Sequence, residues 1–363
     1  MAAPPSPPIC ICNCICNWPL HQHLPLISTR HPNLSPRPVT PPPPPHTPPH
    51  APSRRGGVPW VTVAALAVLA GVLASAPLVT APEEGRTPAA PAVTAERPTL
   101  SDTLPDTLRG RSGKLRARFL LPARDGAIPL LRELFGDSAG RRPGVLAAAD
   151  RGGPFHFITV RPFSDKVRGR IGGYAIGDFP WERRGARGTH TPAGLVEVTP
   201  ANADLPVSQH FRLRDFLTHD QARVWPKYLA LREPLLDKLE LVVDELRGMG
   251  VAVGRVRVMS GFRTPQYNAQ GVGAGGRVSD SRHQYGDAAD VYVTDGGRDW
   301  MTDLNRDGRV DLRDARLLAS AAERVESAHP ELVGGIGIYP ATSAHGPFVH
   351  IDVRGTRARW GAW

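Results

Sequence analysis

His283 and Asp290 stand in the decapeptide SRHQYGDAAD (281–290), and His350 stands in FVHIDV (348–353). Two imidazoles and one carboxylate, with a fourth position left for water, are the donor set of a catalytic zinc ion. The residues beside them are small. Gly286, Ala288 and Ala289 let a loop fold tightly behind a pair of ligands. Each polar residue alone has a plainer reading. A histidine inside a strand is usually buried and hydrogen-bonded, and an aspartate opening a strand is usually a cap. Arg263, in SGFRTPQYN (260–268), would then be a surface salt-bridge partner. Taken together, in this order along the chain, they favour a metal site.

The elements that must position these side chains are legible. VAVGRVRVMSGFR (251–263) sets Val256 and Val258 against Arg255 and Arg257, a strand that delivers SGFR at its end. AADVYV (288–293) is a second strand opening near Asp290, GGIGIYP (334–340) a third and FVHIDVRG (348–355) a fourth. In the fourth, Val349 and Ile351 share one face while His350 and Asp352 share the other. Two neighbouring strands can therefore aim His283, Asp290 and His350 at one point. Ahead of them, KYLALREPLLDKLELVVDELRGMG (227–250) spaces Leu229, Leu231, Leu235, Leu236, Leu239, Val242, Val243 and Leu246 as one helical face. Gly248 and Gly250 end it. HFRLRDFLTHDQ (210–221) reads as a shorter capped helix. The expected class is α+β, an antiparallel sheet with flanking helices.

These motifs carry a family resemblance. SRHQYGDAAD resembles the Ser-x-His-x-x-Gly-x-Ala-x-Asp signature of the zinc D-Ala-D-Ala carboxypeptidase-like peptidases. SGFRTPQYN resembles their Ser-Gly-aromatic-Arg…Asn motif, and FVHIDVRG their last metal-ligand strand, most similar to a murein endopeptidase branch. The resemblance covers about residues 208–363. It implies the hedgehog/D-Ala-D-Ala peptidase fold and zinc on His283, Asp290 and His350. It also implies that Arg263 holds a substrate carboxylate or a developing oxyanion. The proton-transfer group departs from the family pattern. Pro347 stands where carboxypeptidase members have glutamate, and Phe348 where other relatives have histidine. Asp352 either takes a proton from water or orients a ligand histidine, and His345, in SAHGPF, is the other candidate base.

A second metal motif lies between the ligand strands. DLNRDGRVDLRD (303–314) fits the EF-hand loop template, with Asp303, Asn305, Asp307, the Arg309 carbonyl, Asp311 and Asp314 as ligands. Gly308 supplies its sharp turn. Aspartate at the last position makes the loop more like a dockerin repeat, but a single repeat argues against a docking role. A structural calcium bracing the insertion is expected, with a metal-free acidic turn as the alternative. ARLLASAAERV (315–325) comes next as an amphipathic helix.

Upstream, residues 108–205 carry short strand-like runs (KLRARFLLPA, FHFITVRPF, GGYAIGDFP, GLVEVTP) and are expected to form a small β-rich domain. The zinc peptidase-like domain then occupies 206–363. Residues 1–57 are proline-rich and hold all four cysteines, Cys10, Cys12, Cys14 and Cys16, so they read as a disordered tail. Arg54 and Arg55 precede an uncharged apolar run, 58–81, long enough for a membrane anchor or a secretory signal. Either reading exports the chain beyond residue 82, with 82–107 as a Pro/Ala/Thr linker. The net charge of +10 is almost all arginine, since Lys114, Lys166, Lys227 and Lys238 are the only lysines. Basic residues do not cluster with aromatics, so no nucleic-acid partner is expected. The expected function is that of an exported zinc metallopeptidase of the periplasm or cell envelope. It would act on peptidoglycan stem peptides or crosslinks, attached to the membrane if 58–81 is retained. The alternative is a non-catalytic wall-binding or calcium-dependent interaction protein on the same fold.

Overall fold

The computed structural model describes residues 104–123, 129–185, 191–273, 276–297 and 299–363. The expected tail and apolar run lie outside the described residues, as does most of the linker. The linker ends earlier than expected, because Leu104 is buried and Asp106–Arg109 form a 3-10 turn. Among the described residues, no helix is long and apolar enough to cross a membrane.

The described residues belong to one compact unit, Ala89–Trp363. Its first part is built from short strands, as the turn-bounded runs predict. β1 (Ala117–Leu120), α1 (Pro129–Phe135), β2 (Gly144–Ala148) and β3 (Phe155–Thr159) come first. β3 lies between the other two strands, parallel to β1 and antiparallel to β2. Next along the chain are β4 (Arg161–Pro162), β5 (Arg170–Ile171), β6 (Tyr174–Ala175), α2 (Pro180–Arg183), β7 (Gly194–Val198) and β8 (Lys227–Leu229). The last of these corrects the expected helix. Lys227–Leu229 pairs with β7, and helical structure starts only at α3 (Glu233–Gly248), with Pro234 in its first turn. Proline costs nothing there, because the N–H it lacks has no intrahelical partner in any case. The expected helix at 210–221 is reduced to a 3-10 turn, Leu213–Phe216.

β9 (Arg255–Ser260), α4 (Pro265–Ala269), β10 (Ala288–Thr294), α5 (Leu312–Ala328), β11 (Gly335–Tyr339), β12 (Phe348–Asp352) and β13 (Ala358–Gly361) complete the chain. Five of these strands form one sheet in the order β13-β11-β12-β10-β9. All neighbours are antiparallel except β11 and β13, which run parallel. That edge strand departs from the expected antiparallel pattern because the chain, after β12, crosses the start of β11 before turning back along it. One face of the sheet is apolar. Ala289, Val291, Val293, Ile336, Ile338, Val349 and Ile351 have no exposed surface and belong to the same core as Leu235, Leu239 and Val242 of α3 and Leu318 of α5. Each of the valine, leucine and isoleucine side chains contributes about 1.5–3 kcal/mol relative to an exposed one.

The change of pattern at 205/206 is not a break in packing. One hydrophobic core runs from Leu115 and Val198 through Phe211 and Val291 to Val353. A second, smaller cluster gathers Leu131, Phe155 and Phe157. The fold is thus mixed α and β, and its largest sheet carries the strands of the ligand motifs.

Candidate metal centre

The face of the sheet opposite the helices carries a row of residues across all five strands. Ser260 pairs with Asp290, Asp290 with His350, His350 with Gly337, and Gly337 with Trp360. The antiparallel register therefore sets Asp290 directly beside His350, as the strand alternation predicts.

His283 arrives from outside the sheet. It sits in a 3-10 turn, Arg282–Tyr285, which ends at Gly286 with φ 70°. A side chain at Gly286 would overlap the Ala230 backbone, so glycine is required both for the left-handed backbone and for the close approach. The next residue, Asp287, is buried and ion-pairs with Arg282 and, at 3.4 Å, with Arg232. Gly261 gives similar access on the other side. A Cβ there would lie 2.6 Å from Phe216 Cα. Its carbonyl oxygen is 2.7 Å from His283 Nδ1.

These partners assign the ring protons of the neutral tautomers. His283 donates Nδ1–H to the Gly261 carbonyl, so its Nε2 lone pair faces the sheet. His350 donates Nε2–H to Asp352 Oδ2 at 3.1 Å, so its Nδ1 lone pair faces Asp290 and His283. His283 Nε2, His350 Nδ1 and Asp290 Oδ1 then form a triangle with sides of 3.1, 2.9 and 3.2 Å. A tetrahedral ion bound at about 2.0–2.1 Å separates its ligand atoms by about 3.3–3.4 Å. Three ligand atoms this close, with both ring protons directed elsewhere, repel one another unless a proton or a metal cation sits among them. His283, Asp290 and His350 are 1%, 5% and 6% exposed, so water does little to screen that repulsion. Among the described residues this is the group whose ligand atoms converge to hold a metal ion.

The electrostatics arise from the same contacts. Burial pushes the His283 imidazolium pKa down, and Asp290 only partly offsets it. Burial also acts against protonated His350, but its bonds to Asp290 and Asp352 outweigh it and the net shift is upward. For Asp290, burial favours the neutral acid, yet His283, His350 and Arg263 together hold the carboxyl well below the usual range. Arg263 donates Nε–H to Ser260 Oγ at 2.7 Å and pairs through Nη2 with Asp290 Oδ2. It is at the centre as expected, but its guanidinium is engaged with a ligand carboxylate.

The two candidate proton acceptors sit differently. Asp352 has no exposed surface and lies behind His350. It accepts backbone N–H groups from Gly335 at 2.7 Å and Arg354 at 3.0 Å, and the Arg354 guanidinium pairs with it. Burial favours its neutral form, but His350 and Arg354 outweigh that and its pKa is lowered. These contacts fit the second of the two roles open to Asp352, that of a partner orienting His350. His345 donates Nδ1–H to Gly346 O at 2.9 Å and lies edge-on to Phe348, with ring centroids 5.0 Å apart. It lines a cavity of about 230 Å³ with Arg257, Tyr292 and Trp300, and it is not one of the converging ligands.

Sequence reasoning missed the aromatic side of this centre. Trp360 covers Gly337 and packs on His350 with centroids 5.1 Å apart, and its Nε1–H donates to Tyr339 Oη at 2.8 Å. Tyr339 stacks on Phe348 at 4.6 Å, with 5° between the rings. Nothing in the short, arginine-containing run of β13 signals this.

At 303–314 the side chains turn inward onto backbone. Asp303 accepts from Gly308 N at 2.8 Å and Asn305 from Asp307 N at 2.9 Å. Asp307 accepts from Arg309 N at 3.0 Å, and Asp311 caps α5 through Arg313 N at 2.7 Å. Buried Asp314 accepts from Leu304 N at 2.7 Å and Asp311 N at 2.8 Å. Gly308 has φ 84°, the turn the template needs. These oxygens serve the loop's own N–H groups and do not form a further group of converging ligands.

No protein-family model matches the chain, and no curated protein matches it.

Proposed function

We propose that the chain is a zinc-dependent peptidase of the cell envelope, with the hedgehog/D-Ala-D-Ala peptidase fold, that hydrolyses peptidoglycan stem peptides or crosslinks. The observation that carries this reading is the buried triangle of converging ligand atoms at His283, Asp290 and His350. Two imidazole donors favour zinc over calcium or magnesium, which prefer all-oxygen sites. Bound zinc supplies a Lewis acid and an acidified water. The chain's own residues prepare that chemistry. Gly261 and Asp352 fix the two rings with their lone pairs inward, and Arg263 occupies the Asp290 oxygen that faces away from the histidines. Three protein ligands leave a fourth position open.

A second reading, a non-catalytic zinc protein that binds wall peptides, draws on one observation. Neither Asp352 nor His345 joins the converging ligands. Incubating the protein with purified crosslinked muropeptides, beside His283→Ala, separates the two by mass spectrometry. New peptide products that vanish in the variant support the peptidase. No products from zinc-loaded protein would sink it. For 303–314 the reading is a calcium-braced turn, supported by the ligand order and by Gly308. A calcium-dependent rise in melting temperature that Asp303→Asn abolishes is the expected result. Export and membrane attachment rest on Arg54, Arg55 and the apolar run alone.

A further inference from the structure

Tyr339 faces the same side of the sheet as the metal centre. It pairs with Phe348, two residues from His350 on β12, and Gly337 of its own strand pairs with His350. Its ring is clamped by Phe348, stacked at 4.6 Å, and its hydroxyl by the indole N–H of Trp360 at 2.8 Å. Trp360 in turn rests on the His350 ring, and it reaches that ring only because Gly337 has no side chain. The hydroxyl is therefore fixed on the metal-centre face of the sheet, with the Trp360 indole between it and the His350 ring.

The direction of the Trp360 bond matters. The indole nitrogen can only donate, so Tyr339 Oη is the acceptor and its own proton points away from Trp360. Among the described residues no acceptor takes that proton. A half-buried phenol with a spare donor, fixed on the same sheet face as a metal-ligand histidine, can exchange a solvent hydrogen bond for one to a substrate oxygen. Asp290 and Arg263 both act electrostatically on Tyr339, which fits its position near the centre.

We propose that the Tyr339 hydroxyl donates a hydrogen bond to the carbonyl oxygen of the peptide bond to be cut, strengthening as negative charge builds on that oxygen. This rests on the peptidase reading. Trp360 is the positioning residue for it. The donor is neutral and leaves Arg263 free to serve Asp290, which explains how the guanidinium can be committed to a ligand while the oxyanion still has a partner.

The test is Tyr339→Phe, which keeps the ring on Phe348 and removes only the donor. Three quantities are measured: zinc content, steady-state cleavage of a crosslinked muropeptide, and the Kd of a phosphinate pseudopeptide whose tetrahedral group mimics the charged oxygen. Zinc content and KM are expected to stay within about threefold, while kcat falls by about 10²–10³-fold, the usual loss for one oxyanion donor. Phosphinate binding is expected to weaken about tenfold or more, with binding of the product amine unchanged. If Tyr339→Phe matches wild type in both kcat and phosphinate Kd, the role is overturned while the peptidase reading stands. If wild-type protein neither cleaves nor binds the phosphinate, the peptidase reading falls, and the role falls with it.

Discussion

Replacing Asp352 by asparagine separates the two roles that its place on β12 suggests. A proton acceptor for water would lower turnover when neutralised and leave metal binding alone. A partner that holds His350 would act on the metal itself. The contacts support the second. Asp352 Oδ2 takes the Nε2–H of His350 at 3.1 Å and the Nε–H of Arg354 at 2.9 Å. Oδ1 takes the backbone N–H of Gly335 at 2.7 Å and of Arg354 at 3.0 Å. An asparagine that keeps its oxygen on the two backbone groups must aim its NH₂ at His350 and at the Arg354 guanidinium, donor against donor. His350 relieves that clash by moving its proton to Nδ1, the atom that faces Asp290 and His283. The metal then competes with a proton on its own ligand.

Losing such an orienting partner costs about 10–100-fold in metal affinity, or about 1.4–2.7 kcal/mol. The unsatisfied buried donor adds about 1–3 kcal/mol of lost folding stability. Zinc affinity is measured by competition with a chromophoric chelator, stability by urea melts of the metal-free protein, and turnover at saturating zinc. Asp352→Asn is expected to weaken zinc binding by about one to two orders of magnitude and to keep most turnover once saturated. Unchanged zinc affinity with turnover down by about 10²-fold or more, the usual loss of a general base, would refute the reasoning.

The same contacts set three further outcomes. In the metal-free protein, protonated His350 stabilises the fold below the ordinary histidine value and that contribution is lost as pH rises through its raised pKa, whereas neutral His283 stabilises it above that value and the contribution is lost as pH falls through its lowered one. The His283–His350 pair should thus give a stability maximum near about pH 6.5, and added zinc, which needs both rings neutral, should move it upward in urea melts across pH. Gly337→Ala puts a methyl into the Trp360 indole and lifts it from His350; changed tryptophan fluorescence and a loss of about 1–3 kcal/mol are expected. Lys238 is wholly buried and donates to Glu326 at 2.6 Å and to the Asp352 carbonyl at 2.7 Å; Lys238→Met should destabilise the fold by about 3–5 kcal/mol in chemical denaturation, as for other broken buried pairs.

Legibility in the sequence divides by distance along the chain. β9, β10, β11 and β12 announce themselves because each fills its apolar face with Val, Ile or Ala in alternation, fully buried in the last three and partly so at Val258 of β9. The convergence of Asp290 and His350 comes from pairing two such strands. Lys227–Leu229 was open to either structure, since KYLAL suits a helix as well as a strand, and only pairing with β7 decided it. β13 was hidden because ARWG lies at an edge and has no face to bury by itself. Its Trp360 gives Gly337 a reason that β11 does not contain. The same limit governs the search for a proton-handling or charge-stabilising group. A motif scan looks up and down β12 from His350 and finds His345 and Asp352. The sheet sets β11 alongside β12, and on the same face as the centre it places Tyr339, eleven positions before His350 in the chain but paired with Phe348 in the sheet. The neighbours of His350 therefore include those across the hydrogen-bond ladder, and a reading confined to the spacing of one motif does not reach them.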